Sequence, residues 1–274
     1  MKYIALSFLV LMIGCNTARI PKTQLSQYEL NHIYEFENDS LKVFLKNTLH
    51  CPVRIWIQPQ DKELKTYFDQ INPILLGSLT DRIITVETNT VEKEIYFASR
   101  LGDPNRILTV KEVELPFPKN REYRFIQGYN SNPTHNTDWS RYALDFGLAI
   151  GDTVCSATSG YVVGAIDDYK YGGPEEKWKN YGNFITIYDP STGLYTQYVH
   201  LNYKGSFVKV GDRVESGQKI GIVGMTGQTN IPHLHLNCLQ PIDSEQGLIS
   251  IPLDRIGGYR ISELKRNDLV KNKN

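Results

Sequence analysis

The run His233-Leu234-His235-Leu236-Asn237-Cys238 sets two imidazoles two residues apart. On a β-strand successive side chains point to opposite faces, so His233, His235 and Asn237 share one face and Leu234, Leu236 and Cys238 the other. A sheet buried on its leucine side then presents both imidazoles on its open side, a geometry suited to a metal. Two further runs carry the same signal. In Thr196-Gln197-Tyr198-Val199-His200-Leu201, alternation puts His200 and Tyr198 on one face and Val199 and Leu201 on the other. In Tyr142-Ala143-Leu144-Asp145-Phe146, Asp145 stands among apolar neighbours. A carboxylate there is costly unless it is paired or metal-bound, and Arg141 is the alternative partner. Imidazole and carboxylate ligands suit Zn²⁺, which in catalytic sites takes three protein ligands and keeps a fourth position for water. Such an ion lowers the pKa of its water to roughly 7. With His135, this half of the chain offers four histidines and Asp145, more than the three ligands needed. The surplus suits a proton acceptor and a transition-state stabiliser.

The elements that must hold these groups read as strands. Tyr161-Val162-Val163, Phe184 to Tyr188, Thr196 to Leu201 and Gln218 to Val223 are apolar or alternating runs, and no helical periodicity is sustained between Gly128 and Leu239. Residues 28–114 hold further short runs, among them Leu41 to Lys46, Val53 to Ile57, Arg82 to Val86 and Glu94 to Phe97, which predict a small β-sandwich-like domain. Its His32 and His50 stand alone and read as structural. Leu115-Pro116-Phe117-Pro118 opens a stiff, exposed linker at 115–126. Residues 127–250 form an antiparallel β-sheet core with a groove, and 251–274 one more strand at most and a basic tail, partly disordered. Tyr169 to Tyr181 reads as a long exposed loop; its Lys170, Glu175, Glu176, Trp178 and Lys179 either rim the groove or are simply solvated. The fold class is all-β.

Lys plus Arg and Asp plus Glu both number 30, which removes any net electrostatic reason to expect nucleic acid as a partner. No Gly-x-Ser-x-Gly elbow and no phosphate-binding loop occurs, so serine-hydrolase and nucleotide-enzyme chemistry lack their residues. Cys51, Cys155 and Cys238 are an odd set matching no metal motif, and read as buried free thiols.

From about Gln127 to Leu239 the chain resembles the lysostaphin/LytM-type zinc metallopeptidases, the M23 peptidase family. The likeness rests on Tyr142 to Phe146, Gly151-Asp152-Thr153-Val154, Ala157 and Gly160. It continues through Tyr198-Val199-His200-Leu201, Val210 to Val214, Gly217 to Gly221, Gly224-Met225-Thr226-Gly227 and His233-Leu234-His235. The resemblance implies a zinc-dependent endopeptidase acting on peptidoglycan stem peptides or crossbridges. It implies Asp145 and His235 as zinc ligands and His200 and His233 as catalytic residues, with either as general base. In many members the remaining ligand lies four residues before the Asp, where this chain has Arg141. The sequence instead resembles a branch with Gln-Gly-Tyr-Asn, a His and then Tyr-Ala-x-Asp-Phe, which implies His135. The alternative is a catalytically inactive relative that binds peptidoglycan or regulates another cell-wall hydrolase. Gly211-Asp212-x-Val214 with Gly217 to Ile220 also resembles lipoyl and biotinyl carrier domains, but Gly221 to Gly227 lacks the lysine they modify.

The first fifteen residues are a separate element. Lys2, an apolar run from Ile4 to Ile13 and Gly14-Cys15 have the layout of a secretory signal too short to span a bilayer. The end of the run resembles the lipobox of bacterial lipoproteins. That implies a signal peptide at 1–15, a lipid anchor on Cys15, a polar tether at 16–27 and an exported, membrane-anchored protein on the cell envelope. Globomycin treatment or Cys15→Ala is expected to change the protein's size and its membrane partitioning; unchanged behaviour would refute the anchor.

Overall fold

The computed structural model describes residues 20–89, 94–110, 112–244 and 246–273. The signal segment 1–15 and Cys15 lie outside them. Among the described residues no helix is long and apolar enough to cross a membrane.

The largest sheet has nine strands. Its order runs Arg213–Val214, Gly160–Ile166, Phe184–Tyr188, Tyr195–Val199, Leu234–Pro241, Leu144–Phe146, Glu122–Gln127 and Leu269–Lys271, with Leu248–Ser250 paired beside Leu234–Pro241. Every pairing in it is antiparallel. The alternation that predicted these strands is also what buries them. Leu144, Phe146, Tyr198, Leu234, Leu236 and Cys238 turn to one face. There they meet Val154, Leu201, Ile220 and Val223 from a three-stranded sheet of Thr153–Cys155, Lys219–Val223 and Leu201–Ser206. Each such large side chain contributes about 1.5–3 kcal/mol on burial, enough to fix which face is left for chemistry.

The N-terminal part forms two three-stranded antiparallel sheets. One holds Ile33–Glu37, Ser40–Lys46 and Asp81–Glu87, the other Ile74–Leu76, Val53–Pro59 and Ile95–Leu101. A helix, Lys62–Ile71, that the strand-based reading missed joins Val53–Pro59 to Ile74–Leu76 of the second sheet. Asp61 caps it by accepting from the Glu63 and Leu64 backbone N–H groups. Only Leu64 and Phe68, one turn apart, are buried, so two apolar positions carry its whole core-facing signal. The core of this part is continuous with one face of the large sheet. Leu41, Val43, Val53 and Ile55 cluster with Val163, Tyr188, Tyr195 and Leu239 of the large sheet. Arg54, buried, adds a polar clamp. Its guanidinium donates to the Leu101 and Gly102 carbonyls and, across the junction, to Ile242 at 2.6 Å and Gly247 at 3.0 Å.

Two expectations are corrected. Leu115 and Phe117, placed by sequence in an exposed joint, are 1% and 0% exposed. Phe117 packs edge-on against Tyr123 and Phe146, and Glu122–Gln127 is a strand of the large sheet. The prolines stiffen the path, but the aromatic between them is core. The C-terminal region holds not one strand and a disordered tail but three short strands, Arg255–Ile256, Tyr259–Arg260 and Leu269–Lys271. Val270 is fully buried, and Asn272 Nδ2 donates to the Phe117 carbonyl at 2.6 Å. Strands of two or three residues leave too little periodicity to detect. Phe117→Ala is expected to cost about 3–5 kcal/mol in urea unfolding, as for a buried aromatic; a loss below about 0.5 kcal/mol, typical of surface positions, would restore the exposed joint.

Candidate metal centre

Strand register builds the floor of the site. Gln127 stands opposite Asp145, Asp145 opposite His235, His235 opposite Val199, Val199 opposite Phe184, and Phe184 opposite Ile166. These six side chains make one row across the sheet, and all line a groove of about 1880 Å³. Leu234, Leu236 and Cys238 face the core, so the alternation expected for the His-x-His strand holds. For the His200 strand it does not. Tyr198 is core and Val199 lines the groove, the reverse of the expectation. His200 still reaches the groove because its φ is +67°. A left-handed residue at the strand end breaks the alternation and swings the imidazole over.

The structure brings together all five residues singled out by sequence. His135 Nε2 lies 3.3 Å from Asp145 Oδ1, His235 Nδ1 lies 2.9 Å from the same oxygen, and His233 Nε2 is 3.6 Å from Oδ2. Ring centroids of His200 and His233 are 4.6 Å apart. Carbonyl partners fix the tautomers, because a carbonyl oxygen only accepts. His135 Nδ1 faces the Gly128 carbonyl at 2.9 Å, His200 Nδ1 that of Thr226 at 2.8 Å, and His233 Nδ1 that of Ile231 at 2.9 Å. Each of these nitrogens therefore donates, and each Nε2 keeps its lone pair for the site.

That arrangement fits a zinc ion. His135 Nε2 is buried with no hydrogen-bond partner, a state that asks for an explanation in a native structure. The ligand atoms of His135, Asp145 and His235 lie within 4.8 Å of one another. A tetrahedral ion with ligands at about 2.0–2.2 Å holds neighbouring ligands roughly 3.3–3.6 Å apart; the His135–Asp145 separation of 3.3 Å falls in that range and the His235–Asp145 separation of 2.9 Å lies just below it. His200, His233 and His235 form a second group within the same limit, sharing His235. Burial opposes ionisation of Asp145, but the neighbouring His135, His235 and His233 outweigh it and hold the carboxyl well below the usual range. Burial and the neighbouring His233 and His235 push His200 down to about 3, and burial lowers His235 against the pull of Asp145. At His135 burial also disfavours the charged form, yet Asp145 prevails and the net shift is upward.

The loop bearing His135 is tied down, and His135 is fully buried. Its backbone N–H donates to Ser131, Gln127 Nε2 to the Ser131 carbonyl, Ser140 Oγ to Thr134, and Asn130 N–H to Arg141. Arg141 itself pairs with Asp138 at 2.9 Å, which disposes of it as the partner of Asp145. Sequence reasoning missed the support of His200. Asn183, fully buried, donates through Nδ2 to the Tyr169, Leu201 and Asn202 carbonyls. Its N–H donates to Thr226 Oγ1, and the Thr226 carbonyl in turn receives His200. The only signal of Asn183 is a polar residue flush against the Phe184 run. Gly227 completes the support: a Cβ there would lie 2.7 Å from Gly182 Cα. In the 169–181 loop, Pro174, Glu176, Lys179 and Asn180 line the groove, while Trp178 is buried as its anchor.

Removal of one ligand separates holding from catalysis. His135→Ala is expected to weaken zinc binding at least about tenfold and His200→Ala to leave it intact, measured by metal analysis after dialysis. A full zinc equivalent in His135→Ala would remove His135 from the ligand set.

Comparison with known proteins bears on the same residues. Residues 140–244 match Peptidase family M23, a match that begins after His135, so the placement of that ligand rests on geometry. Lysostaphin of Staphylococcus simulans is 36% identical over 116 residues, 41% of this chain and 21% of the relative. A glycyl-glycine endopeptidase of Staphylococcus capitis is 35% identical over 116 residues, 41% of this chain and 28% of the relative. The peptidoglycan DD-endopeptidase ShyB of Vibrio cholerae is 29% identical over 157 residues, 55% and 34% of the two chains. This chain thus spans about a fifth to a third of the length of these relatives. The solved catalytic domain of S. simulans lysostaphin aligns at a TM-score of 0.34 with 26% identity, over 48% of this chain and 88% of that one. Asp145, His200, His233 and His235 therefore all lie within the stretch, residues 140–244, that matches Peptidase family M23.

Proposed function

We propose that this chain is a zinc-dependent metalloendopeptidase that hydrolyses peptide bonds in peptidoglycan stem peptides or crossbridges. The observation that carries the reading is the convergence of His135 Nε2, Asp145 and His235 Nδ1 on one point of the groove floor, beside the unspent Nε2 atoms of His200 and His233. Zinc held by the first three would supply Lewis acidity and a water of lowered pKa. His200 and His233 do the proton work: one accepts the proton of the attacking water at Nε2 and, as the imidazolium so formed, donates that N–H to the developing oxyanion. The Thr226 and Ile231 carbonyls hold both rings in the required tautomer throughout. The activities of the glycyl-glycine and DD-endopeptidase relatives support a peptidoglycan peptide as substrate. The inactive-relative alternative draws on the ligand displaced from position 141, and His135 fills that place.

The reading extends to location: an exported protein, held at the membrane by a lipid on Cys15 and facing peptidoglycan. Incubation of the soluble fragment with defined sacculi, followed by mass spectrometry of muropeptides, is expected to show cleaved peptides that chelator abolishes and zinc restores. Intact peptides with zinc bound would contradict the enzymatic reading.

A further inference from the structure

The face of the large sheet that carries the site is divided into three rows. Beyond the row of Asp145, His235 and Val199 lies a second, two residues further along each strand: Asn237, Gln197, Thr186 and Gly164, each in register with the next. The third row, Leu239, Tyr195 and Tyr188, is fully buried under the N-terminal sheets. Rows two residues apart are separated by about 7 Å. Of the second row only Gln197 lines the groove, while Asn237, Thr186 and Gly164 are buried, so beside the site the floor reaches Gln197 and stops at a wall.

The N-terminal segment reinforces that wall. The Gln27 carbonyl accepts from Ala165 N–H at 2.9 Å, on the strand that contributes Gly164, and Leu25 N–H donates to Tyr169 Oη at 2.6 Å. The Gln27 carboxamide lies over Gly164, where a Cβ would meet its Oε1 at 2.3 Å, and accepts from Thr186 Oγ1 at 3.5 Å. In the second row Asn237 is spent on the Trp139 carbonyl and Ser250 Oγ. Gln197 gives its Nε2 to Thr186 Oγ1 at 3.2 Å; among the described residues its Oε1 has no partner, and the side chain lines the groove.

We propose that Gln197, the second-row side chain that lines the groove, forms a specificity subsite, reading the substrate while Gln27 limits its size. A peptide lying along the first row, as the peptidase reading requires, turns one flanking substituent toward Gln197. Gln197 Oε1 accepts from a short substituent bearing an N–H or O–H, and the Gln27 wall rejects a bulky one. Gln197 and Gln27 belong neither to the ligand set nor to the proton-transfer pair.

The test titrates the zinc-loaded chain with hexaglycine and with a D-alanyl stem pentapeptide, each also carrying one Trp at successive positions, and scores hydrolysis separately. The wild type is expected to bind at least one Trp peptide about tenfold more weakly than its parent, a discrimination typical of a shaped pocket. Gln27→Ala is expected to erase most of that difference, and Gln197→Leu to weaken the parent peptide about tenfold, both with zinc content unchanged. Equal binding of all Trp peptides, discrimination untouched in Gln27→Ala, or no binding by either scaffold would overturn the subsite. The expected binding pattern without hydrolysis would leave the subsite standing and sink the peptidase reading.

Discussion

One carboxylate organises this molecule. Asp145 is buried on the sheet face with three imidazole nitrogens within 3.6 Å. A buried charge is tolerable only if it is paired and hydrogen-bonded. The cross-strand register that sets Asp145 opposite His235 meets that condition and brings both groups to the groove. A slip of one residue would turn His235 to the core and Leu234 to the groove, so the apolar packing beneath the sheet and the polar cluster above it enforce the same alignment.

Regular strands supply only part of the cluster. Asp145 and His235 come from paired strands, but His135 comes from a turn-rich loop and His200 from a left-handed residue at a strand end. Each irregular position has its own supports: the Gly128 carbonyl and the Ser131 to Arg141 hydrogen bonds for His135, Asn183 and Thr226 for His200. The Gly128, Thr226 and Ile231 carbonyls hold three rings, His135, His200 and His233, in fixed tautomers and keep each Nε2 directed at the site.

Legibility in the sequence followed the same division. Period-2 alternation in His233 to Cys238 was enough to predict which side chains face the groove, because that strand is regular. The same rule inverted Tyr198 and Val199, because no pattern of residue types announces a positive φ at a histidine. His135 was found through a family pattern and not through periodicity, which loops lack. The helix Lys62–Ile71 escaped because two buried residues in ten leave little amphipathic signal. Phe117 was misread because flanking prolines suggest a joint whether or not the aromatic between them is core. The N-terminal sheets gave no chemical signal, yet they cover the third row of the active face, a relation only the assembled fold displays.

The central claim is that His135, Asp145 and His235, and not the overlapping set of His200, His233 and His235, hold the ion. Anomalous diffraction at the zinc edge, on crystals grown with one equivalent of zinc, distinguishes the two. The account predicts one peak about 2.0–2.2 Å from His135 Nε2, an Asp145 oxygen and His235 Nδ1. A peak bound by His200 and His233, or three ligands turned apart with no peak between them, would contradict it.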